Sequence, residues 1–485
     1  MGLLGIFVGL GLLIWLSYRG WSVLVLAPIA ALVAALFARE PLLAHWTQTF
    51  MGSAAGFLAQ FFPLFLLGAI FGKLMDDSGS VQTIARFMTE KLGPKRAMLA
   101  VVLAGALVTY GGVSLFVAFF VLAPMAQALF RSANIPARLM PAAIALGTST
   151  FTMSALPGTP AIQNAIPMPF FGTTAFAAPG LGIIASAIML GFGLWWLRRA
   201  EGAARRNGEG FGAGGSAEPQ VAASEDPVVR ERASTSGSFD PSEIESGEHG
   251  GSEPGIVAAL APLVVVVLVN LLMALVVLPR LDTSYLADVR FGEISLANVG
   301  GVWAVLVALT AAMLVLIVLN RKRLPSLRST VDGGANASVL PVVSVASLVG
   351  FGAVVAAMPA FEMVRDWVLG IGGGPLVSLA LSTNILAALT GSASGGLTIA
   401  LDALGATYMQ LAATTGLDPA LMHRVAVIGA GTLDSLPHNG AVVTLLAVCG
   451  TKHGESYFDI VMVGIVGALI ALVAVIVLGT LVGSF

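Results

Sequence analysis

Apolar residues run through this chain in long blocks, not in narrow stripes. The blocks cover residues 3–17, 22–38, 53–73, 97–130, 139–170, 175–197, 255–279, 298–320, 337–359, 374–416, 421–450 and 460–484. A helix needs roughly 20 apolar residues to cross the hydrocarbon core of a bilayer. Most blocks are long enough for one crossing, so the pattern predicts an all-α polytopic membrane protein. Four blocks depart from a simple span. Block 97–130 is too long for one helix and carries Thr-Tyr-Gly-Gly-Val-Ser (109–114) at its middle, and block 374–416 carries Thr-Gly-Ser-Ala-Ser-Gly-Gly (390–396). Blocks 139–170 and 421–450 contain Pro157, Pro160 and Pro437 among polar residues. Proline removes a helical hydrogen bond and clashes with the preceding turn. The first pair is expected to form re-entrant hairpins and the second pair to form broken spans.

Basic residues set the expected topology, because Lys and Arg near span ends favour the cytoplasm. The strongest anchors are Arg198, Arg199, Arg205 and Arg206, then Arg321, Lys322, Arg323 and Arg328. Two spans separate these clusters, so both can lie inside. Working backwards from Arg198 places Arg131 and Arg138 inside. It also places Lys73, Arg86, Lys91, Lys95 and Arg96 in a cytoplasmic loop before the first hairpin. Forward from Arg321, block 374–416 enters from outside, and block 421–450 returns to Lys452. Each half then has five spans plus one re-entrant hairpin, and an odd span count inverts one half relative to the other. The expected fold is two inverted repeats with broken helices at the midplane, and midplane breaks in inverted repeats mark transporter binding sites.

A spacing of 280 residues supports the repeat. Phe71-Gly72 recurs as Phe351-Gly352, Gly111 and Ser114 match Gly391 and Ser394, and Pro157 matches Pro437. The first repeat is expected over 1–200, with hairpin 97–130 and broken span 139–170. The second is expected over 254–485, with hairpin 374–416 and broken span 421–450. Between them, residues 201–253 hold eleven acids and four bases in a Gly/Ser-rich stretch without apolar periodicity. That composition predicts a disordered cytoplasmic linker.

Composition narrows the function classes. Hydrophobic residues make up 57% and charged residues 10%, against about a quarter charged in soluble domains. A net charge of −2 gives no footprint for nucleic acid. The single cysteine, Cys449, excludes an intramolecular disulfide and a cysteine zinc site. No metal or cofactor motif is present. The first block lacks a basic flank before it and a small-residue cleavage site after it, so it is expected to be a retained span.

The chemistry is expected at the four interrupted segments. Half-helix N-termini carry partial positive charge and bind anions through backbone amides. No Lys or Arg lies within 109–114, 147–164, 390–396 or 432–440. Candidate substrate contacts in the first half are therefore Gly111, Gly112, Ser114, Thr150, Thr152, Ser154, Gly158, Thr159, Gln163 and Asn164. In the second half they are Ser392, Ser394, Gly395, Ser435, His438 and Asn439. Hydroxyls in membrane helices also bond their own backbone or a neighbouring helix, so these residues form a pool. Intramembrane acids and histidines are costly and mark ion pathways. Asp434 and His438, flanking Pro437, are the ion-coupling candidates, with Asp402 on the returning arm of the second hairpin as a third. Glu362, Arg365 and Asp366 read as an amphipathic interfacial segment, and Asp76 and Asp77 as the end of a cytoplasmic helix. A remote alternative is an intramembrane hydrolase with Ser394 as nucleophile and His438 as base, but no nucleophile-elbow pattern accompanies them.

Several segments also carry a family resemblance. Gly-Lys-Leu-Met-Asp-Asp-Ser-Gly-Ser-Val-Gln-Thr-Ile-Ala-Arg (72–86), Ala-Asn-Ile-Pro (133–136), Ser-Ala-Leu-Pro-Gly-Thr-Pro-Ala-Ile-Gln-Asn (154–164) and Leu-Asp-Ser-Leu-Pro-His-Asn-Gly (433–440) resemble the gluconate permease (GntP) family. The resemblance covers nearly the whole membrane part. It implies an ion-transporter-type fold in the bacterial inner membrane and uptake of a small hydroxy-carboxylate by proton symport. Elevator-like alternating access on a homodimer scaffold is expected by analogy. The Tyr-Gly-Gly-Val-Ser tip and the Pro-Gly-Thr-Pro break look closer to the 3-hydroxybutyrate permease branch, because the gluconate branch has an acidic tip. The expected substrate is 3-hydroxybutyrate or a gluconate-like monocarboxylate. Sodium coupling and a di- or tricarboxylate substrate are the alternatives.

Overall fold

The computed structural model of the chain describes residues 2–19, 21–212, 230–231, 234, 239–244, 253–324 and 326–485. Every regular element assigned among the described residues is helical, as the block pattern predicts. The first half begins with α1 (Gly2–Tyr18) and α2 (Val23–Ala38), followed by the long α3 (Leu42–Asp77). A short amphipathic helix, α4 (Ser80–Leu92), then meets the first hairpin, α5 (Ala97–Tyr110) and α6 (Leu115–Ser132). The chain bends by 101° between α4 and the segment that starts the hairpin. Helix α7 (Met140–Thr148) ends at the first break, which holds only the short turns Phe151–Ser154, Ile162–Ala165 and Pro167–Phe171 before α8 (Pro179–Arg206).

The second half repeats this order. Two apolar helices, α9 (Ile256–Arg280) and α10 (Leu296–Asn320), precede the long α11 (Leu327–Ala356) and the amphipathic α12 (Phe361–Leu369). The hairpin is α13 (Pro375–Thr390) and α14 (Ala393–Thr415). The broken span is α15 (Pro419–Ala430), one turn at Leu433–Ser435, and α16 (Gly440–Val448), after which α17 (His453–Val482) closes the chain. Seven of these helices are long and apolar enough to cross a membrane by length and composition.

Helices α3 and α11 occupy corresponding places in the two halves and pack along each other as the central seam. Glycines let them approach closely. A Cβ on Gly334 would stand 2.6 Å from the Cα of Ile70, and one on Gly350 would stand 2.9 Å from the ring of Phe50. At one end of the seam Lys73 pairs with Asp77 (Nζ–Oδ1 3.1 Å), and Thr330 Oγ1 donates to Asp77 Oδ2 at 2.6 Å. Lys73 and Asp77 are each only 1% exposed. An isolated charge there would cost several kcal/mol, so the pair holds only because each group has the other. Lys73, expected in a cytoplasmic loop, is thus an internal residue of α3, and the region expected as loop 73–96 is largely helix. Asp76 and Asp77 do end a helix, but inside the protein rather than in solvent.

The interval 201–253 also differs from the expectation where it is described. Helix α8 runs on to Arg206, six residues past the expected boundary. Phe239 and Asp240 are fully buried, Asp240 N donates to Ala337 O at 2.8 Å, and Lys73 Nζ donates to Ile244 O at 3.2 Å. In this piece Asp240 also caps the turn Pro241–Glu243 through Ser242 N, and its own amide holds it to α11. The expected disorder of residues 213–229 and 245–252 lies outside the described residues.

Candidate functional site

The first hairpin turns at Gly111-Gly112, where α5 ends. Gly112 has φ +98°, and a Cβ there would stand 2.7 Å from Pro160 Cγ, so only glycine fits both the backbone and the space. Ser114 caps α6, its Oγ accepting from Phe116 N at 3.3 Å. The tip is tied to the first break by Tyr110, whose hydroxyl donates to Pro157 O at 2.8 Å. Between tip and break lies a cavity of only about 30 Å³, lined by Phe65, Gly112, Ser114, Met153, Pro160 and Leu309 among others. It has room for little more than a water molecule.

The second hairpin follows the same plan with other atoms. Gly391 turns the chain at φ +65°, and Ser392 caps α14 by accepting from Gly395 N at 3.1 Å. Ser394 Oγ lies 3.1 Å from Ser392 Oγ. Asn439 ties this tip to the second break. Its Nδ2 donates to Gly391 O at 2.8 Å, while its Oδ1 accepts from Ala441 N and caps α16. The His438 ring packs on the same turn, 3.2 Å from where a Gly391 Cβ would be.

Unwound backbone inside a membrane protein must find partners for its carbonyls, and here side chains supply them. In the first break Pro157 O accepts from Tyr110, Gly158 O from Asn270 Nδ2 (3.2 Å) and Thr159 O from Asn164 Nδ2 (3.0 Å). In the second, Ser435 O accepts from Tyr457 Oη (3.2 Å), and His453 Nε2 lies 2.9 Å from Pro437 O. Most candidate hydroxyls are occupied with backbone. Thr150 Oγ1 donates to Leu146 O, Thr152 Oγ1 to Gly147 O, Ser154 Oγ to Thr150 O and Thr432 Oγ1 to Ile428 O. Thr159 Oγ1 accepts from Ala161 N.

The two breaks meet at Ser154 and Gly431, where an added Cβ on Gly431 would stand 3.0 Å from Ser154 Cβ. Arg424, on α15, spans the junction. Its Nη2 and Nε donate to Ala177 O (2.7 and 3.2 Å), and Nη1 donates to Ser154 O (3.3 Å) and Asn164 Oδ1 (3.4 Å). Arg424 is fully buried, and no acid pairs with it among the described residues. Next to it, His423 Nε2 lies 3.2 Å from Asn164 Oδ1 and Nδ1 lies 2.6 Å from Thr173 Oγ1. The four segment centres hold no Lys or Arg, but a guanidinium from outside them lies at the junction of the two breaks. The cation enters from the helix leading into the second break.

The expected residues separate into groups. Gly111, Gly112 and Ser114 lie at the first tip, beside Gly158 and Thr159 of the first break. Gly111 faces Leu263 of α9, where an added Cβ would clash at 2.3 Å. Gln163 and Asn164 are buried behind that break, and Gln163 Oε1 has no hydrogen-bond partner among the described residues. Ser392, Ser394 and Gly395 join His438 and Asn439 at the second tip. Asp434 is partly exposed and accepts from Ser435 Oγ at 3.2 Å. Asp402 stands apart, exposed on α14 nine residues beyond its first residue, about 14 Å along the axis. Sequence reasoning missed Arg424, His423 and Asn270. The available signal was three polar residues inside apolar runs.

Comparison with known proteins agrees with this architecture. A family model described as GntP family permease matches residues 1–175. An uncharacterized transporter of Bacillus subtilis (strain 168), YxjC, is 39% identical over 98% of each chain. The high-affinity gluconate transporter of Escherichia coli (strain K12) is 32% identical over 164 residues, 33% of this chain and 35% of that protein. Among solved structures, the Alcanivorax borkumensis YdaH transporter superposes with a TM-score of 0.53 at 17% identity, over 90% of this chain and 87% of that one. That likeness is one of fold. The chain is a multi-pass membrane transporter, not an enzyme, and belongs to the GntP permease family.

Proposed function

We propose that the protein imports a small hydroxy-monocarboxylate, 3-hydroxybutyrate or a gluconate-like acid, by proton symport. The observation that carries this reading is the grouping of positive ends around the breaks. The N-termini of α6, α14 and α16 start at Ser114, Ser392 and Asn439, each a partial positive charge. Arg424 adds one full charge that no described acid neutralises. One carboxylate suits this balance better than three. The hydroxyls and amides at the tips serve the hydroxy end of the substrate, and Asp434 with His438 serves as the coupling pair, with Asp402 a secondary candidate. The name of the Escherichia coli relative supports a carboxylate substrate. The tip Tyr110–Ser114, which lacks an acid, favours the shorter acid.

The near absence of space between the first tip and the first break supports a moving-hairpin mechanism. Substrate enters only if tip and break separate, which fits elevator-like alternating access in which the hairpins and broken spans move against the remaining spans, with a dimer holding the stationary part. The test is uptake of labelled 3-hydroxybutyrate, gluconate and citrate into proteoliposomes with an imposed pH gradient. Uptake of the monocarboxylates that collapses with the gradient is expected. Uptake of citrate alone, or uptake that needs sodium and ignores the gradient, would overturn the reading.

A further inference from the structure

We propose that a cleft at the foot of the first hairpin binds the phosphodiester headgroup of an anionic phospholipid. The cleft has a volume of about 600 Å³ and lies where the α4–α5 bend, the end of α6 and the last turns of α8 meet. Lys95, Arg96, Arg198 and Arg205 line it, with Glu201 as its one acid. Glu201 is committed to Arg205, which donates to it at 2.7 Å and also to Ala133 O at 3.3 Å. Lys95, Arg96 and Arg198 have no ion-pair partner among the described residues and are exposed. The cleft therefore has a net charge of three positive.

Its other wall is apolar, formed at the surface by Leu99 and Leu194 with the buried Met98, Ile135 and Leu197 packed behind them. Cationic lips over an apolar wall match a phospholipid, whose headgroup and first acyl carbons need both surfaces at once. A free phosphate would use only the lips. The position fits as well. Basic pockets between helix ends at the membrane–water interface are where acidic headgroups dock, and Arg198 and Arg205 end a helix long and apolar enough to span. The topological role of these residues needs only their charge near a span end. It does not need four of them around one hollow. The cleft also encloses the 101° bend that joins α4 to the hairpin, so a lipid seated there clasps the root of the tip-bearing element.

Native mass spectrometry of the full-length protein in detergent tests this directly, with phosphatidylglycerol or phosphatidylethanolamine offered at equal concentration. The lipid adduct of the wild type is expected to favour phosphatidylglycerol and to survive millimolar inorganic phosphate. The combined variant Lys95→Ala, Arg96→Ala, Arg198→Ala is expected to lose about tenfold of that adduct. A control with Arg280→Ala, Arg321→Ala, Lys322→Ala removes equal charge elsewhere and should keep it. Equal loss in both variants, no loss in the first, or complete displacement by phosphate overturns the proposal. Melting temperatures report whether the triple variant is folded. If it is not, Arg198→Gln alone is read, with a several-fold loss expected and an unchanged adduct overturning the idea.

Discussion

Arg424 Nη1 donates to the carbonyl oxygen of Ser154 across 3.3 Å, and through this bond the helix entering the second break holds the unwound backbone of the first. The same guanidinium covers Ala177 O with two more donors. Removing it orphans two carbonyls in a buried place. Each hydrogen bond to a charged group contributes about 1.5–3 kcal/mol, so Arg424→Met is expected to lower stability by roughly 3 kcal/mol and to abolish uptake. Arg424→Lys keeps the charge but not the planar fork and should recover only part of the stability. Thermal unfolding in detergent checks both. A variant lacking the guanidinium that melts like the wild type removes the proposed clamp.

Gly112 and Gly52 make a paired test of backbone strain. Gly112→Ala places a Cβ on Pro160 in a left-handed conformation, and a loss of about 1–3 kcal/mol is expected from strain alone. Gly52 lies in α3 with nothing within 4 Å of an added Cβ. Gly52→Ala should be neutral or raise stability by up to about 1 kcal/mol. Melting curves of the two variants measured side by side should show a drop for Gly112→Ala only; equal shifts contradict the close approach of tip and break.

Asn439 has two duties that substitution can separate. Asn439→Asp keeps the oxygen that caps α16 but loses the amide that reaches Gly391 O, whereas Asn439→Ala loses both. The cap is worth about 1 kcal/mol. The aspartate variant should therefore keep more stability than alanine, yet transport as poorly, because tip and break are no longer joined. Initial uptake rates and melting temperatures together decide. Normal transport by the aspartate variant rules out a functional tie.

Asp434 and Asp402 offer a contrast in coupling. If Asp434 carries the proton, Asp434→Asn should bind and exchange substrate but no longer accumulate it when a pH gradient is imposed. Asp402→Asn, exposed and remote from the second tip, should accumulate substrate normally. Comparing exchange with gradient-driven uptake separates the two, and the reverse result would move the coupling role to α14.

The breaks were legible in the sequence because their cause is local. Pro157, Pro160 and Pro437 disrupt a helix wherever they sit, and glycines at 111–112 and 391 permit turns without help. Helices Ala97–Tyr110 and Leu115–Ser132 flank the first turn, and Pro375–Thr390 and Ala393–Thr415 the second. What pairs with the loosened backbone is a tertiary fact. Arg424 is five residues from the turn that starts α15, where a basic residue ordinarily marks a membrane boundary. Only the packing of Ala177 and Asn164 around it turns it inward. Lys73 misled for the same reason, since a Lys four residues before an Asp also describes a solvated helix end. The hydroxyl-rich character of Thr150, Thr152 and Ser154 was plain, but the one proton each can donate goes to a carbonyl in the preceding turn.

The glycine notches between α3 and α11 restrict what can move. Phe50 sits against Gly350 and Ile70 against Gly334, near opposite ends of one interface. A slide by one helical turn, about 5.4 Å, would drive the Phe50 ring and the Ile70 backbone out of their notches. The seam is therefore keyed like a shaft in a slot, which opposes sliding between the two central helices although they come from different halves of the chain. Relative motion during a transport cycle has to be sought where the hairpins meet this keyed pair, not along the line that divides the repeats.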